Sequence, residues 1–196
     1  MKLNHDSGAK LGSARYSTHG RNRPEGEREK IMAWAATDKR YVPLAQAEEV
    51  ALALSVKLGF AGASRVTVTG SIRRQKPTVG DIDMVLVSPD KDPRELLQAC
   101  GATVVQGGTE RAFGFFQELA VNVWRCASES YGAMIFYTTG PAQYAIAYRM
   151  KAKRAGLLLN EKGLFRDGKM IAGETEESIY EALGKQWKRP TLRGAK

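Results

Sequence analysis

The period of apolar and polar positions changes several times along this 196-residue chain, and each change marks an element. Over 43–58, PLAQAEEVALALSVKL, the residues Leu44, Ala47, Ala51, Leu54 and Leu58 recur at steps of three and four. That is the stripe of an amphipathic helix, with Pro43 suited to the first turn and Gly59 to the stop. The period then falls to two, so RVTVT (65–69) and IDMVLVS (82–88) predict strands. PRELLQAC (93–100) predicts a short helix, while AFGFF (112–116) and LAVNVWRC (119–126) predict a hairpin joined at Gln117–Glu118. PAQYAIAYRMKAKRA (141–155) predicts a basic helix closed by Gly156. LLLN, GLF and KMIA follow as short extended pieces, and TEESIYEALG is a last helix capped by Thr175. Mixed strands and helices with a hairpin predict an α+β layer fold. Residues 1–28 have no apolar period and mix Gly, Ser, Asn and Pro with charge, which predicts a mobile basic arm.

Composition adds a partner to this outline. With 43% apolar residues the chain can bury a proper core, but the net charge of +9 is unusual. Residues 149–196 carry twelve Lys and Arg against six Asp and Glu, so the last quarter supplies most of the excess. A polyanionic partner follows, nucleic acid ahead of an anionic membrane; the bland alternative is a solvated basic surface. Two cysteines, Cys100 and Cys126, are too few for a disulfide framework, and no Cys/His cluster suggests zinc. No apolar run reaches the ~20 residues of a membrane span, and the N-terminus lacks a signal-peptide core. These features predict an intracellular protein, cytoplasmic or nucleoid-associated and not secreted.

The candidate chemistry lies in GSIRRQKPTVGDIDMV (70–85). On a strand, residues i and i+2 share a face about 6.6 Å apart. Asp81 and Asp83 therefore project side by side, while Ile82, Met84 and Leu86 face the opposite layer. Paired carboxylates at a strand start can grip hard cations, as in phosphoryl transfer through two metals about 3.5–4 Å apart. A bare Asp-x-Asp is more often a solvated strand end. What precedes it sharpens the reading: Gly70 lets backbone approach a ligand, Ser71 offers a hydroxyl, and Arg74 presents a planar fork to phosphate oxygens. Gly80 can turn its amide to the same triphosphate.

GSIRRQKPTVGDID resembles the Gly-Ser-x-Arg-Arg…Asp-x-Asp signature of the nucleotidyltransferase fold, and specifically of family X DNA polymerases. YTTG (137–140) corresponds to that family's Tyr-Phe-Thr-Gly turn, and LLLNEKGLF after the basic helix is similar to its thumb. TEESIYEALGKQWKRPTLR resembles the closing thumb helix and the Pro-…-Arg ending. The resemblance runs from about residue 43 to 193. It implies a nucleotidyltransferase-type palm over 29–139, a mixed sheet with helices on one side, followed by a small α/β thumb over 140–196. Too little chain precedes residue 70 for the family's N-terminal lyase region, so a minimal palm-plus-thumb form is expected, working as a monomer. The implied cofactor is Mg²⁺, two ions, with Mn²⁺ able to substitute. The implied partners are gapped or primer-template DNA and a dNTP, with no membrane.

The resemblance also assigns residues. The third metal-binding carboxylate of the family stands eighteen residues before the turn glycine, which from Gly140 falls on Asn122, in LAVNVW. An amide keeps an oxygen for weak coordination but loses the charge and cannot act as a base. Binding is then expected to survive while bond formation is crippled. That would suit an inactivated Asp-to-Asn variant, a natural pseudo-enzyme, or an enzyme with weakened chemistry. Glu118 is too far along the strand, ~13 Å, to replace it. Tyr137, Thr138, Gly140 and Asn160 are implied at the nucleotide, with Thr138 standing where the family has Phe. Arg149, Lys151, Lys153, Arg154, Lys162 and Arg193 are implied on DNA. Three functional classes follow: a templated gap-filling polymerase, a non-catalytic module that holds gapped DNA and nucleotide, and a template-independent nucleotidyltransferase. The thumb motif argues against the last.

Overall fold

The computed structural model describes residues 41–194; the expected N-terminal arm lies outside them. The first helix, α1 (Leu44–Ala61), turns Ala47, Val50, Ala51, Leu54 and Leu58 inward. It runs through Gly59 and stops at Gly62, whose φ of 117° is open to glycine at little cost. Pro43 sits before the helix as its cap rather than inside its first turn.

Strands β1 (Val42–Pro43) and β3 (Thr78–Val79) form a two-residue ladder beside the main sheet. The sheet itself has five strands: β2 (Arg65–Val68), β4 (Ile82–Val87), β7 (Leu119–Arg125), β6 (Arg111–Phe116) and β5 (Thr103–Gly107), in that spatial order. All neighbours are antiparallel except β4 and β7, which run parallel. The sheet is therefore mixed, as expected. Between β2 and β4 lies the one-turn helix α2 (Gly70–Arg73), and between β4 and β5 lies α3 (Pro93–Ala99), held by a capping box of Asp92 and Glu95. The β6–β7 hairpin turns on Gln117 and Glu118, both at positive φ (47° and 65°). Glu118 thus belongs to the turn and not to the strand.

Helices α1 and α3 pack on one sheet face, where Leu54, Leu58, Leu96 and Leu97 meet Ile82, Met84, Leu86, Val121 and Val123. Helix α4 (Tyr131–Thr139) meets the other face: Tyr131, Met134 and Ile135 cluster with Val85 and Val87. The same helix turns Ala133 and Phe136 into a second core. That core belongs to α5 (Ala142–Arg154), the hairpins of β8 (Leu158–Asn160), β9 (Gly163–Arg166) and β10 (Lys169–Ala172), and α6 (Glu176–Ala182). Sequence patterning placed all of these except α4, β5 and the short β1–β3 ladder. In α4, YTTG forms the last helical turn and its end, with Gly140 (φ 61°) just beyond.

Candidate active site

The carboxylate-bearing face of the sheet lies opposite α1 and α3. In the parallel β4–β7 register Asp83 stands directly across from Asn122, and Ile82 and Met84 face Val121 and Val123. Side chains at paired positions of neighbouring strands share a face, so the register places Asn122 beside Asp83. Asp81 precedes β4 by one residue; both aspartates are half-buried and Asn122 is buried.

The cradle residues reach the same point. Thr69 donates its backbone N–H to the Asp83 carbonyl at 2.7 Å, and this tie lays the start of α2 against the strand. Gly70 follows at φ 60°, and a methyl group there would overlap the Asp83 carboxylate. Glycine is thus demanded twice, by dihedral and by contact. The Ser71 hydroxyl is buried and has no hydrogen-bond partner among the described residues. Arg74 Nη1 donates to the Thr139 carbonyl, beside Gly140, which draws the cradle to the end of α4. Gly80 lies under the Tyr41 ring, where a side chain would come within 3.1 Å of it.

Adjacent to Arg74, Arg73 does something the sequence did not suggest. Its guanidinium donates to the Thr139 hydroxyl (2.8 Å) and to both oxygens of Glu176 (3.2 and 3.0 Å), the first residue of α6. Glu176 also accepts from Arg193 Nη1 at 2.6 Å and from the Trp187 indole N–H at 3.0 Å. Burial alone pushes the Glu176 carboxyl up, but the hydrogen bonds from Arg193 and Arg73 outweigh it and hold the group below the ordinary carboxylate range. Arg193 was expected on DNA. It is instead 1% exposed, paired with Glu176 and bonded to the Lys188 carbonyl, with Phe136, Tyr144 and Tyr180 around it. Its charge is spent inside the fold.

On the far side of the aspartates, Arg111 of β6 donates Nη2 to Asn122 Oδ1 at 2.8 Å and lies 4.3 Å over the Trp124 ring. Trp124 meets Tyr137 edge-on at 6.1 Å, and the Arg149 guanidinium lies 5.1 Å over the Tyr137 ring. Thr138 directs its hydroxyl back to the Met134 carbonyl. Asn160 accepts from the backbone N–H groups of Lys162 and Gly163, so its side chain shapes the β8–β9 turn. The tip of that turn carries two exposed pairs, Glu161 with Arg149 (3.7 Å) and Lys162 with Glu110 (3.6 Å). Lys151, Lys153 and Arg154 form an exposed basic last turn on α5, where Lys151 covers the Tyr148 ring at 4.5 Å.

The donor set can be tested against the implied metal. Asp81 and Asp83 offer two half-exposed carboxylates abutting a cradle that a single methyl would fill, and this suits one hard cation carrying a phosphate. At the third position the fit is poor, because the one ligating atom of Asn122 is neutral and is turned to the Arg111 guanidinium, a fixed positive charge. Among the described residues no group of three or more His, Cys, Asp or Glu could hold a metal. Cysteine chemistry has no support either: Cys100 and Cys126 are unpaired, and burial pushes the Cys126 thiol up to about 12.

Residues 134–194, from α4 to the C-terminal tail, match the family model for the DNA polymerase beta thumb. Over that part the chain is similar to a family X polymerase thumb, and the curated relatives carry the likeness into the palm. Among curated proteins it is similar to the repair DNA polymerase X of African swine fever virus. It is 24% identical to that of a Malawian tick isolate over 140 residues, 65% of this chain and 80% of the relative. It is 23% identical to that of a Kenyan pig isolate over 170 residues, 76% of this chain and 98% of the relative. None of the described helices is long and apolar enough to cross a membrane.

Two site residues escaped sequence reasoning. Arg111 carries no motif, and its place beside Asn122 depends on the hairpin register, in which Asn122 faces Phe113 and Trp124 faces Arg111. Arg73 could have been separated from Arg74, since successive helical residues point about 100° apart.

Proposed function

We propose that this chain is a DNA polymerase of the repair type, adding dNMP to a primer 3′ end in short, templated gaps, with its chemistry crippled by Asn122. The observation that carries this reading is the β4–β7 register, which sets Asn122 beside Asp83 where the carboxylates abut the Gly70 cradle. The names of the relatives, repair DNA polymerase X, support the same substrate class. The thumb match supports templated transfer over template-independent transfer, since a small acceptor needs no duplex-gripping layer.

In this reading Asp81 and Asp83 hold a Mg²⁺, or Mn²⁺ in its place, with the triphosphate; Gly70, Ser71, Arg74 and Gly80 receive the phosphates. Tyr137, Thr138, Gly140 and Asn160 flank the nucleotide. A cation held there would supply charge neutralisation to the transferring phosphoryl group. Arg149, Lys151, Lys153, Arg154 and Lys162 grip the DNA backbone, so affinity falls steeply with salt. Asn122 cannot take a proton and brings no charge, and loss of a general base alone slows a reaction by about 10²–10⁴-fold.

The test is single-nucleotide incorporation on a gapped, templated primer with Mg²⁺, comparing this chain with Asn122→Asp. Extension by the aspartate variant, about 10²–10⁴-fold faster, supports the reading. Equal rates from both, or tailing without a template, overturn it. If neither extends a primer yet both retain gapped DNA and nucleotide, the non-catalytic module is the better description.

A further inference from the structure

Arg111 gives the third position a chemistry that the loss of a carboxylate does not. A guanidinium has donors and no acceptor, so the atom of Asn122 that faces it must be Oδ1. The amide is thereby oriented: its oxygen is turned to β6, and the edge left for the aspartates is the Nδ2–H₂ group. That edge is complementary to a carboxylate and cannot ligate a cation. Arg111 is itself braced, its guanidinium 4.3 Å over the Trp124 ring, and Trp124 is its register partner across β6–β7. Trp124 in turn packs against Tyr137 of α4. Guanidinium, amide and carboxylates thus form a row across three adjacent strands, β6, β7 and β4.

We propose that Arg111 is a positioning residue that removes the third position from metal binding, so that this palm holds one divalent cation, on Asp81 and Asp83, with a fixed arginine charge beside it. This rests on the polymerase reading only for its relation to the primer hydroxyl; the charge arrangement stands by itself. Restoring the carboxylate then allows a second ion, but one held more weakly than the carboxylate alone would hold it. An aspartate at 122 would meet Arg111 as an ion pair, and an opposite charge within ~4–6 Å shifts a carboxylate's charge-dependent equilibria by about 10- to 1,000-fold. The cation must compete with that pair.

The experiment counts Mn²⁺ bound to the full chain, from the paramagnetic resonance signal of free Mn²⁺, for the chain itself, Asn122→Asp, Arg111→Gln and the double variant. Primer extension as a function of Mn²⁺ is measured in parallel. The double variant is expected to bind a second ion at least about tenfold more tightly than Asn122→Asp. Equal isotherms for those two proteins, with urea midpoints showing both folded, overturn the proposal. If Arg111→Gln does not fold, Arg111→Lys in the Asp background keeps a charge but loses the planar, stacked fork. A gain of about threefold or more then supports the proposal, and equality rejects it. The two readings fail separately. A Mn²⁺ difference without extension by any variant leaves the role of Arg111 standing and removes the polymerase. Extension by Asn122→Asp at the Mn²⁺ requirement of the double variant does the reverse.

Discussion

Glu176 and Asp83 are acidic side chains at two ends of one helical turn, and the fold treats them in opposite ways. Glu176 is 4% exposed and accepts from two arginines and an indole, which join α2, α6 and the C-terminal tail. Asp83 is half-exposed on a sheet face, with glycine where a side chain would crowd it. Buried charge is tolerated when its partners are in place, and removing one partner strands the others in low dielectric. The first arrangement builds the junction between the two cores; the second is available to a ligand.

The contrast is broken most severely by Glu176→Ala. Two guanidinium groups lose their counter-charge, one of them fully buried, and a loss of about 3–5 kcal/mol is expected in urea unfolding. Acid acts on the same group more gently. A carboxyl held below its ordinary value stabilises the fold above the unfolded value of about 4.3 and loses that contribution as pH falls through the lower, folded value. The chain should therefore lose more stability between about pH 5 and about pH 3 than Glu176→Gln does; parallel losses would show that Arg73 and Arg193 do not bias the carboxyl. Thr175→Ala removes the cap that accepts from the Ser178 N–H, at a cost of about 1 kcal/mol. Asp83→Asn keeps the side chain's shape at the Gly70 contact and should cost less in urea unfolding than Glu176→Ala, while abolishing Mg²⁺-dependent retention of a nucleotide on a filter. A large stability loss there would place Asp83 with Glu176 as a structural group.

How much of this was legible depended on whether a residue's surroundings repeat in its own sequence neighbourhood. Helix α1 and strands β4 and β7 each bury one face, so their periods show in the chain. Helix α4 buries Tyr131, Gly132, Ala133, Met134, Ile135, Phe136 and Thr139, which surround its axis and leave no polar stripe to read. Alternation along β7 is enough to put Asn122 on the face of Asp83, whereas Arg111 acquires its place only when β6 is paired to β7. Arg193 misled for the opposite reason. A cation in a basic tail reads as surface, and nothing local shows that the tail folds back over Tyr144 and Tyr180 to meet Glu176.

Helix α4 gives its Tyr131, Met134 and Ile135 to one core and its Ala133 and Phe136 to the other. Loosening either layer uncovers apolar surface on the same short helix, so neither can be released without weakening the other. Heat should accordingly melt the two layers in one cooperative calorimetric transition, and the cradle at Arg74 is tied to the same helix through Thr139.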